Sequence, residues 1–126
     1  MQFIYFIVTS VVLSIHLTGD IPYDSIAFDF KSGNAEEIVA LAKSKVLVNI
    51  EGKEGVYSQP QASLVLKDFF SKNPCTSFEF VFKGERSADG AFAIGNYVST
   101  RKFRVTIYFK KVNGVFKIES LTIEKD

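Results

Sequence analysis

The sequence predicts an α+β fold in which a strongly bent antiparallel sheet carries three helices on its concave face, and three observations point to it. Behind Cys75, apolar residues alternate with polar ones at period two through four successive segments. Ahead of Cys75, apolar residues recur at i, i+3, i+4 and i+7 in three short stretches. The order of these segments is helix, helix, strand, short strand, helix and four strands, so the sheet is a four-strand C-terminal meander plus a short N-terminal strand pair.

Pro22 stands where a first helical turn tolerates a missing N–H, and Tyr23, Ile26, Ala27 and Phe30 form one apolar stripe, so a first helix runs to Lys31-Ser32-Gly33. Asn34 with Glu37 has the spacing of a capping box and opens a second helix whose apolar residues are Ile38, Leu41 and Ala42. From Lys45 the period changes. Val46, Val48 and Ile50 alternate with Leu47, Asn49 and Glu51, Gly52-Lys53-Glu54-Gly55 reads as a turn, and Val56-Tyr57 as a brief returning strand. Ser58 and Gln61 predict a capping box for a third helix with Pro60 in its first turn; Ala62, Val65, Leu66 and Phe69 are its buried stripe, and Asn73-Pro74 stops it.

In the meander, Phe78, Phe80 and Phe82 alternate with Glu79, Val81 and Lys83, and Ser87-Ala88-Asp89-Gly90 supplies the turn. The next strand, Ala91 to Thr100, places Phe92, Ile94, Asn96 and Val98 on one side, expected to be the inner one, and Ala91, Ala93, Gly95, Tyr97 and Ser99 on the other. Phe103, Val105, Ile107 and Phe109 then alternate with Arg104, Thr106, Tyr108 and Lys110, and Asn113-Gly114 makes a hairpin turn. The last strand changes phase between Phe116/Ile118 and Leu121/Ile123, so a β-bulge near Glu119-Ser120 is expected to return both pairs to the buried face.

Residues 1–19 carry no Asp, Glu, Lys or Arg, and Phe3 to Leu13 is an almost unbroken apolar run, the pattern of a secretory signal peptide cleaved near Gly19. The stretch is shorter than the ~20 apolar residues of a spanning helix, so no integral membrane span remains after cleavage. Residues 20–126 are then one exported domain, periplasmic or extracellular. With 15 basic and 14 acidic side chains the net charge is +1, which argues against nucleic acid as a partner. The single histidine, His16, lies in the leader, and the rest of the chain has no catalytic or metal-ligand spacing. No catalytic residue, metal or cofactor is expected. Cys75 stands alone and reads as a small buried hydrophobe.

Phe30-Lys31-Ser32-Gly33-Asn34-Ala35, the run Gly52-Lys53-Glu54-Gly55-Val56-Tyr57-Ser58, Asp68-Phe69-Phe70 and the ending Ile123-Glu124-Lys125-Asp126 resemble an uncharacterised family of small exported bacterial proteins, a domain of unknown function. The resemblance covers essentially all of residues 20–126. It implies membership of the nuclear-transport-factor-2-like, or cystatin-like, cone superfamily, whose helices close the wide end of a curved sheet around a pocket. It brings no established activity, because isomerases, dehydratases, small-ligand binders and protein-interaction modules share that fold.

Thirteen phenylalanines, eleven of them after the leader, are ample for the concave side. Tyr23, Phe30, Tyr57, Phe78, Phe80, Phe92, Asn96 and Phe103 are the residues expected to line a pocket there, with the Asn96 amide able to orient a ligand. Arg104, Thr106, Tyr108 and Lys110 make the opposite face amphipathic and suited to pairing with another sheet, so a homodimer through that face is a second expectation. The leading functional reading is a non-catalytic module for a small apolar ligand or a protein partner. The alternative is a lyase or isomerase using a buried carboxylate and tyrosine.

Overall fold

The computed structural model describes residues 20–84 and 87–126. In chain order they form α1 (Tyr23–Ser32), α2 (Ala35–Ala40), β1 (Ala42–Ile50), β2 (Lys53–Ser58), α3 (Gln59–Lys72), β3 (Ser77–Lys83), β4 (Gly90–Val98), β5 (Lys102–Val112) and β6 (Val115–Lys125). The helical boundaries follow from local chemistry. Gly33, at φ 69°, ends α1 in the left-handed region, where its missing Cβ removes the usual penalty. Asn34 Oδ1 accepts the Glu37 N–H at the start of α2, and Ser58 and Gln61 close the expected reciprocal capping box on α3.

The six strands form one bent, unclosed sheet in the order β2-β1-β6-β5-β4-β3. One pair departs from the all-antiparallel expectation: β1 runs parallel to β6, with Val48 beside Leu121 and Ile50 beside Ile123. The meander leaves the far side of β6 unpaired, and β1 fills it, starting three residues earlier than its alternation suggests. The Ile118 N–H reaches the Leu41 carbonyl at 2.9 Å and the Glu51 N–H reaches the Ile123 carbonyl at 2.8 Å, which extends that contact at both ends. The chain reverses between β1 and β2 at Glu51-Gly52 alone, so Lys53 and Glu54 belong to the strand rather than to the turn.

Two bulges in the meander decide which side chains face the helices. Glu119 is the extra residue where Tyr108 pairs with Ser120 but Phe109 with Ile118, and it leaves both Ile118 and Leu121 buried as expected. Val81 is a second extra residue, between the pairs Phe80–Gly95 and Phe82–Ile94, and it turns Phe82 to the face opposite Phe78 and Phe80. The inner face then consists of Val46, Val48, Phe78, Ala91, Ala93, Tyr97, Phe103, Val105, Ile107, Phe109, Ile118, Leu121 and Ile123, covered by Ile26 and Phe30 of α1 and Ala62, Leu66, Phe69 and Phe70 of α3.

Both two-residue hairpin turns have two consecutive positive φ angles, Glu51-Gly52 at 52° and 89° and Asn113-Gly114 at 51° and 80°. This is the primed turn that matches strand twist, and Asn-Gly is its preferred pair. A glutamate in the first position is strained, and its ion pair with Lys125, at 3.7 Å on the surface, offsets little of that strain. Glu51→Asn is expected to raise stability by about 0.5–1 kcal/mol, read as a higher denaturant midpoint at unchanged slope.

Candidate functional site

The interior of the cone is filled by aromatic rings. Phe30 stacks on Phe78 at 4.6 Å between centroids and 12° between planes, Phe70 stacks on Tyr97 at 5.9 Å, and Phe69 meets Phe103 edge to face at 5.1 Å. Phe30, Phe78 and Phe103 therefore lie within the packed core. Tyr23 and Phe80 sit half-buried at one end, edge to face at 5.1 Å, with the Lys83 ammonium 4.8 Å above the tyrosine ring. Tyr57 lies half-buried on β2, its ring folded back over Gly55.

Phe92 and Asn96 do not face this interior, which corrects the expected phase of β4. Its buried residues are Ala91, Ala93, Gly95 and Tyr97, and the bulkier set alternates with them on the opposite side. The reason is room. The Phe78 ring lies so close over Gly95 that a Cβ there would run into it, and only a row of small residues lets that ring and α1 approach the sheet. Tyr97 is the one large member of the row, and it extends past the rings to the end of α3, where its hydroxyl donates to the Asn73 carbonyl at 2.5 Å.

The displaced side chains form the second feature. Directly opposed residues share a face, so the registers place Val56, Leu47, Ser120, Tyr108 and Phe92 in one row and Glu54, Asn49, Thr122, Thr106, Ile94 and Phe82 in the next. Phe92 stacks on Tyr108 at 5.6 Å and packs on Phe82 at 5.4 Å. Phe82, Tyr108 and Val56 nonetheless remain 49 %, 48 % and 63 % exposed. Glu79, Asn96, Arg104 and Glu124 border this strip on one side, with Arg104 reaching Asp126 at 3.4 Å, and Lys110 and Lys117 border it on the other. Arg104, Thr106, Tyr108 and Lys110 thus share one face as expected. Phe82, Phe92 and Ile94 join them there, which side-chain bulk alone had assigned inward.

Few groups are placed for proton transfer. Among the described residues the buried polar ones are Ser63 and Asn73, and no cluster of three His, Cys, Asp or Glu could hold a metal ion. Asp29 is held above the ordinary carboxyl range by burial and by the neighbouring Glu37 charge, at the corner of α1 and α2 rather than inside the cone. Burial also raises the Cys75 thiol, which donates to the Ser77 carbonyl at 3.2 Å and so stays protonated at neutral pH. No helix among the described residues is long and apolar enough to cross a membrane.

A helix-covered, bent α+β sheet of this kind defines a nuclear-transport-factor-2-like, cystatin-like domain. It is similar in fold alone to a ketosteroid isomerase-like protein from Erwinia carotovora atroseptica (TM-score 0.65, 13% identity, 82% of this chain and 92% of that one). Within that class the chain belongs to the DUF4783 family, a domain of unknown function, whose model matches residues 23–124. Solved relatives include the DUF4783 proteins of Bacteroides uniformis (28% identity, 85% of this chain and 98% of that one, TM-score 0.78) and Bacteroides fragilis (29% identity, 85% and 100%, TM-score 0.77). No curated protein matches the chain.

Tyr97 yields a pH-dependent expectation. Burial first, and the adjacent Cys75 second, hold its phenol far above the ordinary value. The unfolded chain releases that proton from about pH 10, so above it the unfolded state binds fewer protons and stability falls as pH rises. Tyr97→Phe should lower stability at neutral pH by about 1–2 kcal/mol through the orphaned Asn73 carbonyl. It should also flatten the alkaline loss, measured as denaturant midpoints between pH 7 and 11.

Proposed function

We propose that this protein is an exported, non-catalytic binding module whose working surface is the outer sheet face, and that a second copy of the chain docks there face to face. The observation that carries the reading is the apolar cluster of Phe82, Phe92, Ile94 and Tyr108 on the face opposite the helices, with Leu47 and Val56 beyond Ser120 in the same rows. Its charge pattern supports a second copy as the occupant. Glu79 and Glu124 flank one side of the strip and Lys110 and Lys117 the other. A twofold axis lying between two such faces and perpendicular to the strands sets the cationic border of each copy over the acidic border of its mate.

The filled interior weighs against a small apolar ligand inside the cone, since Phe30, Phe78 and Phe103 occupy the space that it would need. The lyase or isomerase alternative would need an inward carboxylate, whereas the carboxyl with a raised pKa, Asp29, sits at a helix corner. Export rests on the uncharged apolar run of residues 1–19, which lies outside the described residues.

Light scattering should give twice the mass of one chain, and Tyr108→Glu should bring it down to one chain, because a carboxylate would have to be desolvated in the middle of the strip. A monomeric wild type, or a variant of unchanged mass, would remove the docking proposal. In an exporting host, the intact mass of the recovered protein should begin at Asp20. Recovery of the full 126 residues would remove the export proposal.

A further inference from the structure

At one edge of the helix-covered sheet face, the C-terminal half of α3 and the tip of the β1–β2 hairpin enclose an open groove of about 400 Å³. That volume falls within the range of small-molecule sites. Its walls are apolar: Ile50 from the end of β1, with Val65 and Phe69 from α3. Leu64 stands on its rim, 66 % exposed, a large aliphatic side chain that the core does not use.

The charged groups on the groove are unequal. Asp68 already pairs with Lys72 at 3.0 Å, one helical turn along α3, and Glu51 pairs with Lys125 at 3.7 Å. Lys53 lies opposite Ile50 in the hairpin register, so it projects to the α3 side of the sheet, and it has no ion pair among the described residues. Asn73, also on the groove, is 8 % exposed, and its Nδ2 donates to the Phe69 carbonyl. An apolar trough with one cation at its hairpin end that makes no ion pair among the described residues offers both halves of an amphiphilic anion's recognition. We infer that the α3–hairpin groove binds a free amphiphilic anion, with its apolar chain against Leu64, Val65 and Phe69 and its carboxylate on Lys53.

Decanoate is the probe, and decylamine, of equal chain length and opposite charge, is its control. Titration of decanoate into the full domain, followed by backbone amide shifts, should move the resonances of Ile50, Lys53, Leu64 and Phe69. Both Lys53→Glu and Leu64→Asp should weaken binding about tenfold or more, since each removes one half of the recognition. Both side chains are exposed, so the fold should survive, as a melt of each variant checks; Lys53→Ala serves if Lys53→Glu fails that check. The inference is overturned if decylamine binds as well as decanoate, if affinity is unchanged in Lys53→Glu, or if the shifts gather on the outer face around Tyr108. It is also overturned if phosphatidylglycerol vesicles bind while decanoate does not, since that marks a surface charge effect rather than a groove. A Tyr108→Glu monomer should still bind decanoate, which keeps this site independent of dimerisation.

Discussion

The close approach of the Phe78 ring to Gly95 is the contact on which the rest of the molecule depends. Burying a phenylalanine contributes about 1.5–3 kcal/mol, and Phe78 also stacks on Phe30 of α1, so this one contact seats the first helix on the sheet. It is possible only if the β4 row beneath it is small. Ala91, Ala93 and Gly95 supply that row, and period two then commits Phe92 and Ile94 to the other side. The filled interior and the apolar outer strip are therefore two consequences of one steric requirement.

The two meander bulges act in the same sense. Without the extra Val81, Phe82 would follow Phe78 and Phe80 inward; with it, Phe82 packs on Phe92 outside. Without Glu119, either Ile118 or Leu121 would face solvent. Glu119 itself is held at the surface by Lys43 at 3.4 Å. One bulge thus moves an aromatic to the outer face and the other retains two aliphatics within, and each bends the sheet at its own position.

Much of this was legible in the residues. The capping box at Ser58, the Asn34 cap, the Asn113-Gly114 turn, the inward set of β5 and the Glu119 bulge all follow from local chemistry, and the structure contains each. The phase of β4 was not legible, because alternation says that two faces differ and not which one is covered. Bulk argued for Phe92 and Ile94; the deciding fact, a ring from the neighbouring strand lying over Gly95, belongs to tertiary structure. The parallel β1–β6 pair was hidden for a related reason. It joins strands separated by a helix and the rest of the meander, and nothing local records it. The groove draws Lys53 from the hairpin, and Lys53 had been read as part of a turn because Gly52 and Gly55 bracket it.

A cone that packs Phe30, Phe69, Phe78 and Phe103 against one another commits those rings to its core, and the groups still free to meet a partner lie on its surfaces. Two surfaces have the means: a sheet face whose apolar side chains lie between borders of opposite charge, and a trough beside α3 with Lys53, which has no ion pair among the described residues. They share no lining residue, so occupation of one leaves the contacts of the other in place. What links them is β1, which sends Leu47 and Asn49 to the outer face and Ile50 to the groove from a single run of alternating side chains. A shift of β1 by one residue along β6 would exchange those assignments. The hydrogen bonds from Glu51 to the Ile123 carbonyl and from Ile118 to the Leu41 carbonyl, one at each end of the parallel pair, oppose that shift and so keep both surfaces in register.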